Sequence, residues 1–254
     1  MLRGLKSYLL YSFGFFLVLE IMIAAAIYWW PTFEDNAQNI INIASRIPVL
    51  GGLATTVKEK GVSAYVYGQQ YFKGCAALGT AACVLFAAPA VAGEVHRGTM
   101  EMWLARPVSR FRLFTERWVG GFLAIAVPVI LSSLSIAWML PWVDDSMPLG
   151  DLALTSVHMV LFLAPIYAAT FAWSSLGSEP MRISFVMLFL SVLAFAMYLV
   201  EAVTNYTPYR IVDIRVFLEI EKTGQLDWRY HVPLVAATLA GYVVGLRSFL
   251  RRTP

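Results

Sequence analysis

Charged residues along this chain are gathered into clusters, and between the clusters lie six long runs of apolar residues, at about 7–30, 74–92, 119–142, 152–176, 183–203 and 231–249. A run of about 20 apolar residues crosses a hydrocarbon core of roughly 30 Å as an α-helix. In lipid every backbone N–H and C=O must find its partner inside the segment, so continuous apolar runs predict helices. The alternating pattern of a membrane barrel is absent. The sixth run has the shortest uncharged stretch and needs its polar ends or a snorkelling Arg247 to reach full depth. The pattern predicts an all-α polytopic membrane protein, a single transmembrane domain over residues 1–254, with outer connections at 31–73 and 204–230 and a third connection at 93–118.

Composition supports this class: 59% of residues are hydrophobic and 14% charged, with a mean hydropathy of +0.67, values far from those of a soluble domain. The net charge of +3 is a topological signature rather than a nucleic-acid footprint. With both termini inside, eleven Lys and Arg face four acids on the inner side, and eight face ten on the outer side, as the positive-inside rule requires. Both termini and the 93–118 connection are therefore expected in the cytoplasm. The N-terminal apolar run is too long for a signal-peptide core, so an uncleaved first span is expected.

The inner connection carries readable local physics. It is strongly basic and sits tightly between the uncharged runs 74–93 and 119–143. Gly98 and Thr99 form a turn and N-cap, Glu101 lies in the first turn where the helix dipole favours an acid, and Met100, Trp103 and Leu104 fall at i, i+3, i+4. Pro107 forces Arg106 out of helical geometry and ends this short amphipathic helix, and Ser109 caps the next. Phe111, Phe114 and Trp118 then share one face, with Arg112 and Glu116 able to pair at i, i+4. The segment reads as a short stiff helix lying across the membrane face, or as an interfacial helix whose arginines bind headgroups.

Other features are weighed by the same rules. Glu20, midway along the first span, is costly in lipid and points either to a cavity or partner subunit, or to a hydrogen bond within the bundle. Glu201, near the outer end of the fifth span, reads as snorkelling to the interface. Pro89, Pro128 and Pro165 would each kink a span, and Gly241 with Gly245 forms a GxxxG read as packing within the subunit. Ile40, Ala44 and Ile47 before Pro48, and Ile211, Ile214 and Leu218, suggest short outer helices, although alternation from Asp213 to Glu221 also fits a strand. Trp29, Trp30, Trp138, Trp142, Trp228 and Tyr230 suggest an outer aromatic belt.

Cys75 and Cys83 lie eight residues apart in one span and read as core residues. His96, His158 and His231 are scattered over three segments, so no metal site is built locally. No nucleotide-binding loop, HExxH or GxSxG occurs. No catalytic residue and no cofactor of the chain's own are expected.

The motif Glu94-x-x-x-Gly98-Thr99-x-Glu101-x-x-Leu104-Ala105-Arg106-Pro107-Val108-Ser109-Arg110 resembles that of the type-2 ATP-binding-cassette exporter permeases, between spans two and three as in that family. It is most similar to the branch containing the permease for nitrous-oxide-reductase maturation. Val95, His96, Met100, Met102 and Trp103 depart from residues common there. The resemblance implies a non-catalytic permease subunit of the bacterial or archaeal plasma membrane, moving substrate outward by alternating access. It implies a second permease copy or sister chain, packed at the first and fifth spans, and two copies of a separate ATPase that binds ATP and Mg. The coupling helix that docks on the ATPase would then comprise Glu94, Arg97, Gly98, Thr99, Glu101, Trp103, Leu104, Arg106, Pro107, Ser109 and Arg110, with Glu20 and Glu201 on the translocation path or dimer seam. The alternative is a non-transporting membrane scaffold or immunity protein that recruits a cytoplasmic partner through the basic connection.

Overall fold

The computed structural model of the protein describes the backbone of residues 2–105 and 107–252 and the side chains of residues 8–105 and 107–252; Arg106 lies outside the described residues. The first apolar run folds as α1 (Leu2–Tyr28). The connection that follows is helical nearly throughout: α2 (Trp30–Asp35), α3 (Ala37–Ala44) and α4 (Pro48–Lys60). Ile40 and Ala44 are half-buried on α3, whereas Ile47 falls outside it and is exposed. Pro48 opens α4 at a position where its missing N–H costs nothing.

The second apolar run differs from the expectation. Helix begins well before residue 74, with α5 (Val62–Val66), continues as a π-helix over Tyr67–Gly79, and returns to α-geometry in α6 (Thr80–Ala87). It stops short of residue 92, because Pro89 ends the rod at a turn over 88–91 instead of kinking it. The broken second run is thus not a regular α-helix, and among the described residues five helices are long and apolar enough to cross a membrane: Tyr8–Tyr28 of α1, and the four that follow the short helices α7 (Ala92–His96) and α8 (Met100–Leu104).

Those four are α9 (Arg110–Met139), extended by a 3-10 turn to Val143, α10 (Leu149–Leu176), α11 (Pro180–Tyr198) and, after α12 (Ile214–Thr223), α13 (Trp228–Arg251). Pro128 and Pro165 are carried inside α9 and α10 as expected. The fifth helix ends at Tyr198 rather than Val203, leaving Glu201 exposed in the following turn. The sixth is longer than its uncharged stretch: α13 has 24 residues, about 36 Å at ~1.5 Å per residue. Depth is therefore supplied by helix that includes Arg229 and Arg247. Asp227 starts α13 by accepting from Arg229 N at 2.9 Å.

Helix α10 is the hub, packed chiefly against α13, α9 and α6, while α1 lies along α9. The GxxxG of α13 makes the closest approach. A Cβ on Gly241 would stand 2.9 Å from Ala168 Cβ, and one on Gly245 3.1 Å from Ala172 Cα. Two glycines facing two alanines let the α10 and α13 backbones touch, which places this motif inside the subunit.

Among the described residues there is no strand. The alternation from Asp213 to Glu221 is overridden because Asp213 caps a helix, accepting from Arg215 N at 2.9 Å, and Ile214, Phe217 and Ile220 bury one face of α12. Trp29, Trp138, Trp142 and Trp228 are exposed near one end of the bundle. Trp30 leaves that belt: it is buried, with its ring 4.8 Å from Tyr65.

Candidate functional site

Gly98 sets the geometry of the 92–110 connection. Its φ is +66°, a left-handed conformation glycine adopts without strain. This lets Thr99 N reach Glu94 O at 3.0 Å and Gly98 N reach Val95 O at 3.0 Å, the paired 6→1 and 5→2 bonds of a Schellman stop. So α7 ends at His96, and the chain turns into α8 at Met100. Thr99 occupies the N-cap position of α8 but its side chain caps nothing there. Its hydroxyl turns back onto the Glu94 carboxylate. The spacing Glu94-x-x-x-Gly98-Thr99 is thus one folded unit: helix end, left-handed glycine, and a threonine that returns to the glutamate.

Glu94 sits at the centre of a cationic cluster. Its side chain is 14% exposed and meets Arg117 Nη2 at 2.8 Å and Arg97 Nη2 at 3.1 Å. Burial by itself would raise its carboxyl pKa. The hydrogen bonds from Thr99 and Arg117, with the positive charges of Arg117 and Arg97, outweigh it and hold the group below the ordinary carboxylate range. Arg117, on the second turn of α9, also donates to Ala90 O at 2.6 Å, and its guanidinium lies 3.6 Å from the centroid of the Trp103 ring. One arginine therefore ties together the end of the second run, α7 and α8.

Trp103 is turned inward. It is 5% exposed and packs edge-on against Phe249 of α13 at 5.8 Å. Met100 is buried beside it and Leu104 half-buried. The outward face of the connection carries Arg97, Gly98, Glu101, Met102, Pro107, Val108 and Ser109. Ser109 starts α9 by accepting from Arg112 N at 3.3 Å, and Arg112 pairs with Glu116 at 2.6 Å. Phe114 is buried among Phe171, Tyr242 and Phe249. Phe111 departs from the shared face and is exposed. Arg110 donates to Arg252 O at 2.7 Å, and Arg252 donates in turn to Ser175 O and Gly177 O at the end of α10.

The turn over 88–91 is held by a residue with no sequence signal. Ser174 of α10 is fully buried; its hydroxyl accepts from Val91 N and Ala92 N, each at 3.0 Å, and donates to Ala88 O at 2.7 Å. This fills the hydrogen-bonding capacity of one hydroxyl and satisfies the backbone groups that Pro89 disrupts. Ser174 and Arg117 escape sequence reading because their partners are backbone atoms and residues on other helices.

Elsewhere, Glu20 accepts from Ser135 Oγ of α9 at 2.8 Å and stays partly exposed. Cys75 and Cys83 are free and buried, and among the described residues no group of three His, Cys, Asp or Glu could hold a metal. A pairing that sequence spacing gave no hint of joins His158 to His231, whose ring nitrogens Nδ1 and Nε2 lie 2.9 Å apart.

Residues 52–253 match the family model for the ABC-2 family transporter protein. The chain belongs to that family and is a multi-pass membrane component of an ABC transporter. Comparison with curated proteins and with solved structures gives no match.

Proposed function

We propose that this member of the ABC-2 transporter family is the permease subunit of an ATP-driven exporter, with six spans and the 92–110 connection as the segment that engages a separate ATPase. The observation that carries the reading is the bracing of that connection. A short helix is fixed to the bundle on its inner face by Trp103, Met100 and the Glu94–Arg117 pair, and offers Glu101, Met102, Pro107 and Ser109 outward. A lever must be stiff on one side and free on the other to pass a displacement into α6 and α9. Glu94, Thr99, Trp103 and Arg117 are then positioning residues, and Arg97, Gly98, Glu101, Leu104, Arg106, Pro107, Ser109 and Arg110 border or form the docking face.

In this reading the rod from Val62 to Ala87 counts as the second span, both termini and the connection are cytoplasmic, and the membrane is the plasma membrane of a bacterium or archaeon. Two permease subunits, identical or sister chains, pair along α1 and α11, whose Leu10, Phe13, Leu17, Met181, Phe185 and Phe189 are exposed. Glu20, partly open on α1, borders that seam. ATP and Mg belong to the two ATPase copies. By its motif the chain resembles the branch that includes the nitrous-oxide-reductase maturation permease.

The test is affinity purification of the full chain from its host in mild detergent with an ATPase assay on the complex. A Walker-motif ATPase should co-purify with the wild type, be lost with Met102→Asp on the outer face, and be retained by Phe111→Asp, an exposed position in the first turn of α9. Recovery of the intact chain with no ATPase bound would sink the coupling role.

A further inference from the structure

At the end of the bundle opposite α8, His158 of α10 and His231 of α13 form a hydrogen-bonded chain whose protons can be counted. His158 Nε2 lies 2.8 Å from Ile211 O, and His231 Nδ1 lies 2.6 Å from Asp227 O. A carbonyl oxygen only accepts, so each of these outer nitrogens carries its proton. The two inner nitrogens, His158 Nδ1 and His231 Nε2, face each other at 2.9 Å. With both rings neutral, two lone pairs would point at one another across a hydrogen-bond distance. Bridging them requires one further proton, shared by the pair. A metal does not fit instead: two nitrogens on one zinc at about 2.0–2.1 Å stand roughly 3.3 Å apart, and no third ligand is present among the described residues.

We propose that the His158–His231 pair is a proton-binding site that takes one proton from the outer solution and, while it holds it, locks α10 to α13 and to the flanking backbone. Both rings are buried, and the Phe217 ring stands edge-on to His158 at 5.2 Å. Access is through a cavity of about 300 Å³ lined by both histidines and by residues of α12 and the start of α13. The charged and titratable groups around it are Glu219 of α12, Asp227 before α13, and Arg229 and Tyr230 of α13. Beyond Phe217 lies Tyr71, engaged with Thr155. Among the described residues no carboxylate forms an ion pair with either ring, so the second imidazole is the proton's partner. The carbonyls at the two ends of the chain belong to the 3-10 turn over Pro208–Val212 and to the N-cap of α13. Loss of the proton leaves the facing lone pairs repelling, and the two segments part. Raising the pH therefore opens this end of the bundle.

The chain has three histidines, which makes a direct test practical. The full-length protein with His96→Gln, labelled with 15N-histidine and placed in lipid nanodiscs, is followed by NMR from pH 5 to pH 9. At the acid end three of the four ring nitrogens should carry protons, with a scalar coupling across the His158–His231 hydrogen bond; at the alkaline end the coupling disappears. In parallel, hydrogen exchange at the start of α13, corrected for intrinsic rates, should lose about tenfold protection at high pH. That pH dependence should vanish in His158→Gln, whose amide does not titrate. No coupling at any pH, or the same exchange profile in wild type and His158→Gln, would overturn the proposal.

Discussion

Replacing Arg117 by Met keeps the apolar stem of the side chain and removes its charge, so the variant isolates what the guanidinium contributes. It loses a hydrogen bond to the Glu94 carboxylate at 2.8 Å, one to Ala90 O at 2.6 Å, and the face of Trp103 at 3.6 Å. Charge-assisted bonds of this kind contribute about 1.5–3 kcal/mol each. Arg117 is 24% exposed, so the lower end applies, and the cation–π contact adds about 1 kcal/mol. Arg117→Met should therefore destabilise by about 4 kcal/mol, and Glu94→Gln by about 2 kcal/mol. Because they share one bond, the double variant should lose about 4.5 kcal/mol rather than about 6. Thermal unfolding of the purified protein in mild detergent reads this as a fall of about 12 °C for Arg117→Met at roughly 3 °C per kcal/mol. The pH dependence follows the same pair. Glu94 has its pKa lowered on folding, so its contribution is present above the unfolded value of about 4.3 and is lost as pH falls through the lower folded value. The wild type should lose stability below about pH 4 that Glu94→Gln does not lose. Strictly additive single variants would refute the reasoning, since they would show that Arg117 and Glu94 do not act on each other.

Two further predictions concern the frame around the connection. Ser174→Ala should cost about 2 kcal/mol, since it strands Val91 N–H in the core and leaves Ala92 N–H to seek Ala88 O directly; hydrogen exchange confined to 88–92 should rise. Gly241→Leu should lower the melting temperature, because any side chain meets Ala168 and overpacking costs about 1–3 kcal/mol. Gly14→Leu, which has open space around its α-carbon, should leave it unchanged.

The order of helices and the place of the connection could be read from the chain because lipid imposes a one-dimensional rule: an apolar run must satisfy its own backbone, and so must be helix. The stop at Gly98, the cap at Ser109 and the Arg112–Glu116 pair are likewise local, fixed by neighbours a few residues away. Where the reading went astray, distant residues had decided. The second run begins at Val62 and takes π-geometry over Tyr67–Gly79, where it packs against α1 and α10. Trp103 belongs to an amphipathic pattern, but the pattern cannot say that α13 ends beneath it and claims its ring. The same limit hides Arg117, Ser174 and the histidine pair, whose partners lie 23, 83 and 73 positions away. The sequence by itself determined that the apolar runs are helical and where the local stop at Gly98 and the cap at Ser109 fall, since those choices are settled by hydration and by bonds within a turn. Only the tertiary structure decided which polar groups meet in the interior, because burial makes each of them find a partner while leaving the packing to choose which one.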